Sequence, residues 1–285
     1  MSLRIQTNVE AFDAHRQLQS TADKAAKSMQ KLSSGYRINS AADDAAGLAI
    51  SEKMQAQIGG LDQAQRNAQD GVSLVQTGEG ALNEVDSMLQ RVRDLKVQYS
   101  NGTLSSDDKQ AISSEVQQLG SEISDITKNT SFNGIKLLSG GSAVTLQVGA
   151  GSADTITLNA TEMSGAIGTT GNGGLKEIMD IGSATTTAAA DTAFSGLTLD
   201  TIDAAIKNVS TVRSSFGAIQ NRLEHRLNNL STYQENLVSS ESRIRDVDMA
   251  SEMVNFTKLG ILQQAGTSML AQANQAPQNV LSLLR

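Results

Sequence analysis

Six apolar residues, Val209, Phe216, Leu223, Leu230, Leu237 and Ile244, stand seven positions apart without a slip. Three positions further on, Val212, Ile219, Tyr233 and Val247 form a companion row, interrupted by Arg226 and Ser240. Apolar contacts at this spacing keep one narrow stripe of a helix turned toward a partner, the pattern of a coiled-coil seam. About 40 residues in such a helix span roughly 60 Å, a length that a single chain stabilises only by supplying a partner helix.

Partner helices are written elsewhere in the chain. Ile58, Leu61, Ala68, Val72, Val75, Leu82, Val85, Met88, Val92, Leu95 and Tyr99 recur at helical steps until Asn101-Gly102 interrupts them. Ile112, Val116, Leu119, Ile123 and Ile126 make a third row that stops at Asn129 to Gly134. Near the start, Leu18, Ala22, Ala25, Met29 and Leu32 lead to Gly35, and near the end Leu259, Leu262, Met269, Ala273 and Ala276 precede Pro277, the chain's one proline.

Between Gly134 and Gly196 these rows vanish and Gly, Thr, Ser and Ala take over. Within that stretch Val144–Val148 and Thr155–Leu158 alternate apolar with polar residues around a Gly-containing turn, which predicts a β-hairpin. The rest, residues 160–196, is expected to form an exposed cap or loop for want of apolar material. The expected fold is mainly α: a folded-back coiled-coil rod with a small β-hairpin at the bend and both termini at one end.

Composition excludes several functions. Aromatic residues make up 3% of the chain and tryptophan is absent, a poor stock for lining a ligand pocket. A net charge of −7 with no Lys/Arg cluster argues against nucleic acid. There is no cysteine, hence no disulfide or thiol chemistry. Neither a cleavable secretory signal nor an apolar run long enough to span a membrane is expected from these residues. Catalysis is not expected either, and no metal or cofactor: His15 and His225 lie on unrelated segments, without a metal-binding, triad or phosphate-loop pattern around them. His225 reads as part of a solvated helix face and His15 as a partly buried seam residue. Asp43-Asp44 reads as a polar turn or helix start. The Asn-x-Ser/Thr triplet at Asn229 falls in a helical seam, and the Ser and Thr of residues 142–195 are possible acceptors for O-linked sugars.

Three strings carry more than periodicity. Leu32-Ser33-Ser34-Gly35-Tyr36-Arg37-Ile38-Asn39-Ser40-Ala41-Ala42-Asp43-Asp44-Ala45-Ala46-Gly47-Leu48-Ala49-Ile50 closely resembles the N-terminal signature of bacterial flagellins. Asn67 to Gly71, Glu79 to Leu82 and Gln90 to Leu95 continue the match, and Ser239 to Ala250 with the ending Val280 to Arg285 completes it. The resemblance covers roughly the first 140 and last 90 residues.

This resemblance implies a filament subunit with a reduced outer segment, exported through the flagellar type III apparatus. It implies inner-tube helices at residues 1–43 and 243–285 that order on assembly. Rod helices are implied at 44–143 and 197–242, with the hairpin and variable segment at 144–196. Assembly seams are expected at Leu18, Met29, Leu32, Leu259, Leu262, Met269 and Leu283, and the rod core at Val209, Phe216, Leu223, Leu230, Leu237 and Ile244. Implied partners are further copies of the chain, an export chaperone and the export apparatus, filament cap and hook-associated proteins, and Toll-like receptor 5 in a vertebrate host. The resemblance places Gln90, Arg91, Asp94, Leu95 and Glu115 at the receptor contact, with Asp94 where many relatives carry Glu. The alternatives are a hook–filament junction protein, a signalling coiled coil, and an enzyme with a metalloprotease in its central region, whose HExxH this chain lacks.

Overall fold

Asn8 opens the first helix: its side-chain oxygen accepts the Ala11 amide at 3.1 Å, supplying a partner that a helix N-terminus otherwise lacks. The computed structural model describes residues 8–140, 143–158 and 174–283, with side chains as far as Gln275. Helix α1 spans Val9–Ser34, α2 Ala45–Tyr99 and α3 Ser106–Asn129. A capping box starts α3, with Ser105 and Asp108 exchanging side-chain and backbone hydrogen bonds. Strands β1 (Ser131–Phe132) and β2 (Ile135–Lys136) then pair antiparallel across Asn133-Gly134, whose φ values of 47° and 80° are those of a tight two-residue hairpin turn. The expected larger hairpin is present as β3 (Val144–Gln147) and β4 (Thr155–Leu158), paired with Val144 opposite Leu158. Helices α4 (Leu175–Gly182), α5 (Thr187–Gly196), α6 (Leu199–Arg245) and α7 (Met249–Leu283) complete the described chain, which is mainly α as expected.

The chain divides into two compact units, Gly59–Gln234 and the pair of segments Met1–Ile58 and Glu235–Arg285. In the first, Val209, Phe216, Leu223 and Leu230 are all buried, as the heptad row requires. They pack on α2 over glycines: a Cβ on Gly78 would stand 2.7 Å from the Phe216 ring, and one on Gly71 would collide with Leu146 and sit 3.4 Å from Leu223. Gly78 against Phe216 and Gly71 against Leu223 set one antiparallel register, and continuing it by sevens matches Val85 with Val209 and Ala64 with Leu230. Polar rungs flank that seam, with Arg93 bonded to Asp203 at 2.6 Å and Gln65 to Gln234 at 2.7 Å. The β3–β4 hairpin lies on both helices: Asn67 of α2 donates to the Gln147 carbonyl at 3.0 Å, and Arg226 of α6 donates to the Val148 carbonyl at 3.0 Å.

Residues 175–196 correct an expectation. They form α4 and α5, not an exposed loop, and bury Leu175, Ile178, Ile181, Ala190 and Phe194 in the same core as α2, α3 and α6. Few apolar residues suffice because the large ones point inward, each burial contributing about 1.5–3 kcal/mol. Close backbone approach helps: a Cβ on Gly120 of α3 would overlap the Ile178 carbonyl, so α4 can lie directly on α3. The rest of the expected loop, residues 160–173, lies outside the described residues.

In the second unit α1 and α7 run antiparallel. Asn8 donates to the Ala273 carbonyl at 2.8 Å at one end and Ser28 to Glu252 at 2.5 Å toward the other, with Leu18 3.2 Å from where a Cβ on Gly266 would stand. The heptad row is less complete here, for Leu237 and Ile244 are only half-buried. Its companion fails earlier, at Tyr233, which is 46% exposed. Arg245 of α6 donates to Gln55 of α2 at 3.2 Å in this stretch.

Candidate functional site

One turn of α2 faces two environments. Val92 and Leu95 continue the buried stripe of Val85 and Leu89, whereas Gln90, Arg91 and Asp94 point outward. Arg91 reaches across to α3, placing Nη2 2.7 Å and Nε 2.8 Å from Glu115 Oε1, with both side chains about half exposed. Gln90 donates to Asp86 at 3.0 Å. The expectation that Leu95 shares a displayed surface with Arg91 is therefore corrected: Leu95 is 2% exposed and packs in the core. Its position four residues after Arg91 rotates it about 40° further round the helix, enough to cross from the solvent face to the buried one.

A second surface lies on the terminal helices. Phe12, Met29, Val254, Ile261, Leu262 and Met269 are exposed large hydrophobic residues of α1 and α7, and Leu18, Leu32 and Leu259 are half-buried where the two helices meet. Met253, Val254, Ile261 and Leu262, with Thr257 and Lys258, line a shallow apolar groove of about 480 Å³ along α7. An apolar surface of this kind on an exposed helix face is the mark of an interaction site. Leu283 lies beyond the described side chains.

The signature strings meet each other, a link that reading them singly did not reveal. Arg37 N–H donates to the Arg245 carbonyl at 2.7 Å, Val247 N–H donates to the Gly35 carbonyl at 3.0 Å, and Tyr36 and Asp246 form an antiparallel bridge between them. The Arg37 guanidinium donates to the Ile244 carbonyl at 2.6 Å, capping the end of α6, while that of Arg245 lies 4.5 Å from the centre of the Tyr36 ring. Asn39 ties the turn to α1 through Ser34 Oγ at 2.7 Å.

Asp43 and Asp44 form the turn and helix start that their spacing suggested. Asp43 accepts from the Ser40 amide and hydroxyl and from the Asn39 amide, and Asp44 Oδ1 accepts the Gly47 amide at 2.9 Å. The Ser40 hydrogen bonds hold the Asp43 carboxyl below its ordinary range. His225 is exposed as expected; His15 is exposed too, which corrects the expectation that it is a partly buried seam residue and puts it on the solvent side of α1. Among the described residues no group of three or more His, Cys, Asp or Glu is placed to hold a metal ion, and no helix is long and apolar enough to cross a membrane.

Residues 5–143 match the bacterial flagellin N-terminal helical region, and residues 199–284 match the bacterial flagellin C-terminal helical region. The chain is 51% identical over 286 residues to the flagellin of Halalkalibacterium halodurans, an alignment covering 99% of each protein. It is 48% identical over 304 residues to the flagellin of Bacillus subtilis, covering 99% of this chain and 100% of the other. Among solved structures, one described as a candidate flagellar hook-associated protein of Vibrio parahaemolyticus aligns with a TM-score of 0.57 at 17% identity, over 72% of this chain and 100% of that one. At that identity the likeness bears on the fold alone.

Proposed function

The chain belongs to the bacterial flagellin family, a family of structural filament proteins and not of enzymes, and we propose that its copies polymerise through α1 and α7 into an extracellular flagellar filament that serves swimming motility. The observation that carries this reading is the row of large apolar side chains left uncovered on the terminal helices, chiefly Phe12, Val254, Ile261, Leu262 and Met269. In an isolated chain that surface meets water, and stacked copies would remove it at about 25 cal/mol per Å² buried. The same reading has α1 and α7 gain most of their order on assembly, because two helices packed only on each other retain one wet apolar face each. Export by the flagellar type III apparatus with a dedicated chaperone, and contact with cap and hook-associated proteins, belong to this reading. So does recognition of the monomer by Toll-like receptor 5 through Arg91, Glu115, Gln90 and Asp94, all of them polar side chains of one exposed strip.

Seeded polymerisation followed by electron microscopy tests the proposal. The wild type should elongate seeds indefinitely. Leu262→Asp and Met269→Asp each place a charge in a contact that assembly would dry, at a cost of several kcal/mol per subunit, and should abolish elongation while the monomer melts as before. Asp variants that elongate normally would refute the assignment of these seams. A protein that binds seed ends and stops would be a junction protein, the alternative that the resemblance leaves open.

A further inference from the structure

Along α6, Arg222, His225, Arg226 and Asn229 fall on one face and form the wall of a cleft of about 530 Å³ beneath the β3–β4 hairpin. Arg226 is spent on the hairpin itself. Its Nε donates to the Val148 carbonyl at 3.0 Å and its Nη2 to Asp154 at 2.8 Å, while the Gly151 amide donates to the other Asp154 oxygen at 3.2 Å. Arg222 is different: it is exposed and makes no hydrogen bond or ion pair with any described residue, although it lines the same cleft.

That isolation is unusual in this protein. Arg16, Arg66, Arg91, Arg93, Arg213 and Arg226 each face a carboxylate, Arg245 faces Glu241 and Gln55, Arg37 caps α6, and Arg243 donates to two serine hydroxyls. Among the described residues Arg222 is thus the arginine without a partner. It is also set four residues from a second cation, Arg226, an arrangement that repels within an isolated helix. A guanidinium presents a planar fork of donors that matches a carboxylate best. The chain has carboxylates to spare, with 30 Asp and Glu against 23 Lys and Arg.

We infer that the Arg222 cleft receives an Asp or Glu side chain from a second copy of this chain. The inference rests on the filament reading above, since only a polymer holds another copy continuously within reach. Copies carrying a net charge of −7 repel one another, and a specific cation–carboxylate contact offsets that repulsion while fixing the angle at which the neighbour sits.

The test compares the critical concentration for elongating seeds among wild type, Arg222→Ala and Arg222→Glu, at low salt and at about 1 M salt, where charges are screened beyond roughly 3 Å. Arg222→Ala should raise the critical concentration about tenfold at low salt, Arg222→Glu should raise it further, and high salt should erase most of the difference. Monomer melting should be unchanged in both variants. In a parallel arm, carbodiimide should couple position 222 of the Arg222→Lys variant to an acidic side chain of another copy in filaments and not in monomers. Equal critical concentrations at low salt with normal filaments, or coupling only within one chain, would overturn this site and leave the filament reading standing. Failure of the wild type to elongate seeds would overturn both.

Discussion

Leu95 and Arg91 are neighbours on α2 that answer to different partners, and substitution should separate them. Leu95→Ala removes a buried side chain from a packed core and should lower folding stability by about 2–5 kcal/mol. Arg91→Ala and Glu115→Ala break an exposed ion pair and should change it by less than about 1 kcal/mol. On the receptor reading these two alanine variants should nonetheless weaken monomer binding to the purified receptor ectodomain. Denaturant melts run beside binding measurements check the set, and a Leu95→Ala protein that melts like wild type would contradict its burial. At this scale the apolar row is the better guide: Leu95 belongs with Val85, Val92 and Tyr99, whereas the resemblance and the four-residue spacing from Arg91 point it to the surface. The glycines of α2 and α3 were not legible at all. That Gly78 leaves room for Phe216 and Gly120 for α4 depends on which turn faces which, a relation between distant segments that local pattern does not encode.

Helix α5 ends on a buried cation. Lys96 of α2 is 6% exposed and donates from Nζ to the Phe194 carbonyl at 2.7 Å and the Ser195 carbonyl at 3.3 Å, with the Phe194 and Tyr99 rings 4.8 and 5.1 Å away. Asp191 of α5 accepts from the Tyr99 and Ser113 hydroxyls, and Lys109 Nζ of α3 lies 5.4 Å from the centre of the Tyr99 ring. Burial pushes the Lys96 ammonium below the ordinary 10.5, against an upward pull from Asp191. The unfolded chain therefore binds the proton more tightly, so the contribution of Lys96 to stability rises with pH toward 10.5 and falls away as pH drops through the folded value. Melting curves of wild type and Lys96→Met should shift in favour of the wild type as pH is raised across that window, and a pH-independent difference would count against the burial argument. Elements were legible in proportion to their length. The long helices announced themselves by sevens and the β3–β4 hairpin by alternation. Helix α4 does space Leu175, Ile178, Met179 and Ile181 as a helix would, but over two turns only, and α5 is too rich in Ala and Thr to show a period; the Asn133-Gly134 dipeptide, a strong hairpin signal, also ends the helical row before it.

At the scale of the molecule the two units differ in how the chain composes them. Residues 59–234 form one uninterrupted stretch, whereas the other unit joins the first 58 residues to the last 51 through α1, α7 and the meeting of Gly35–Arg37 with Arg245–Val247. A chain ended after Gln234 should therefore keep slow amide exchange in α3, α4 and α5 while α1 loses its protection; loss of protection throughout would show that the continuous unit does not stand alone. The paired ends were foreseen from the folded-back pattern, but not the contact that joins the two signature strings, since each string alone reads as a turn. This discontinuity has a consequence in time. A ribosome makes α1 (ending at Ser34) long before α7 (starting at Met249), so the earlier helix must wait through the synthesis of everything between them before its partner exists. Closing that span is cheaper once the intervening stretch has already condensed. Until then Phe12, Leu18 and Met29 remain open to whatever escorts an unfinished chain.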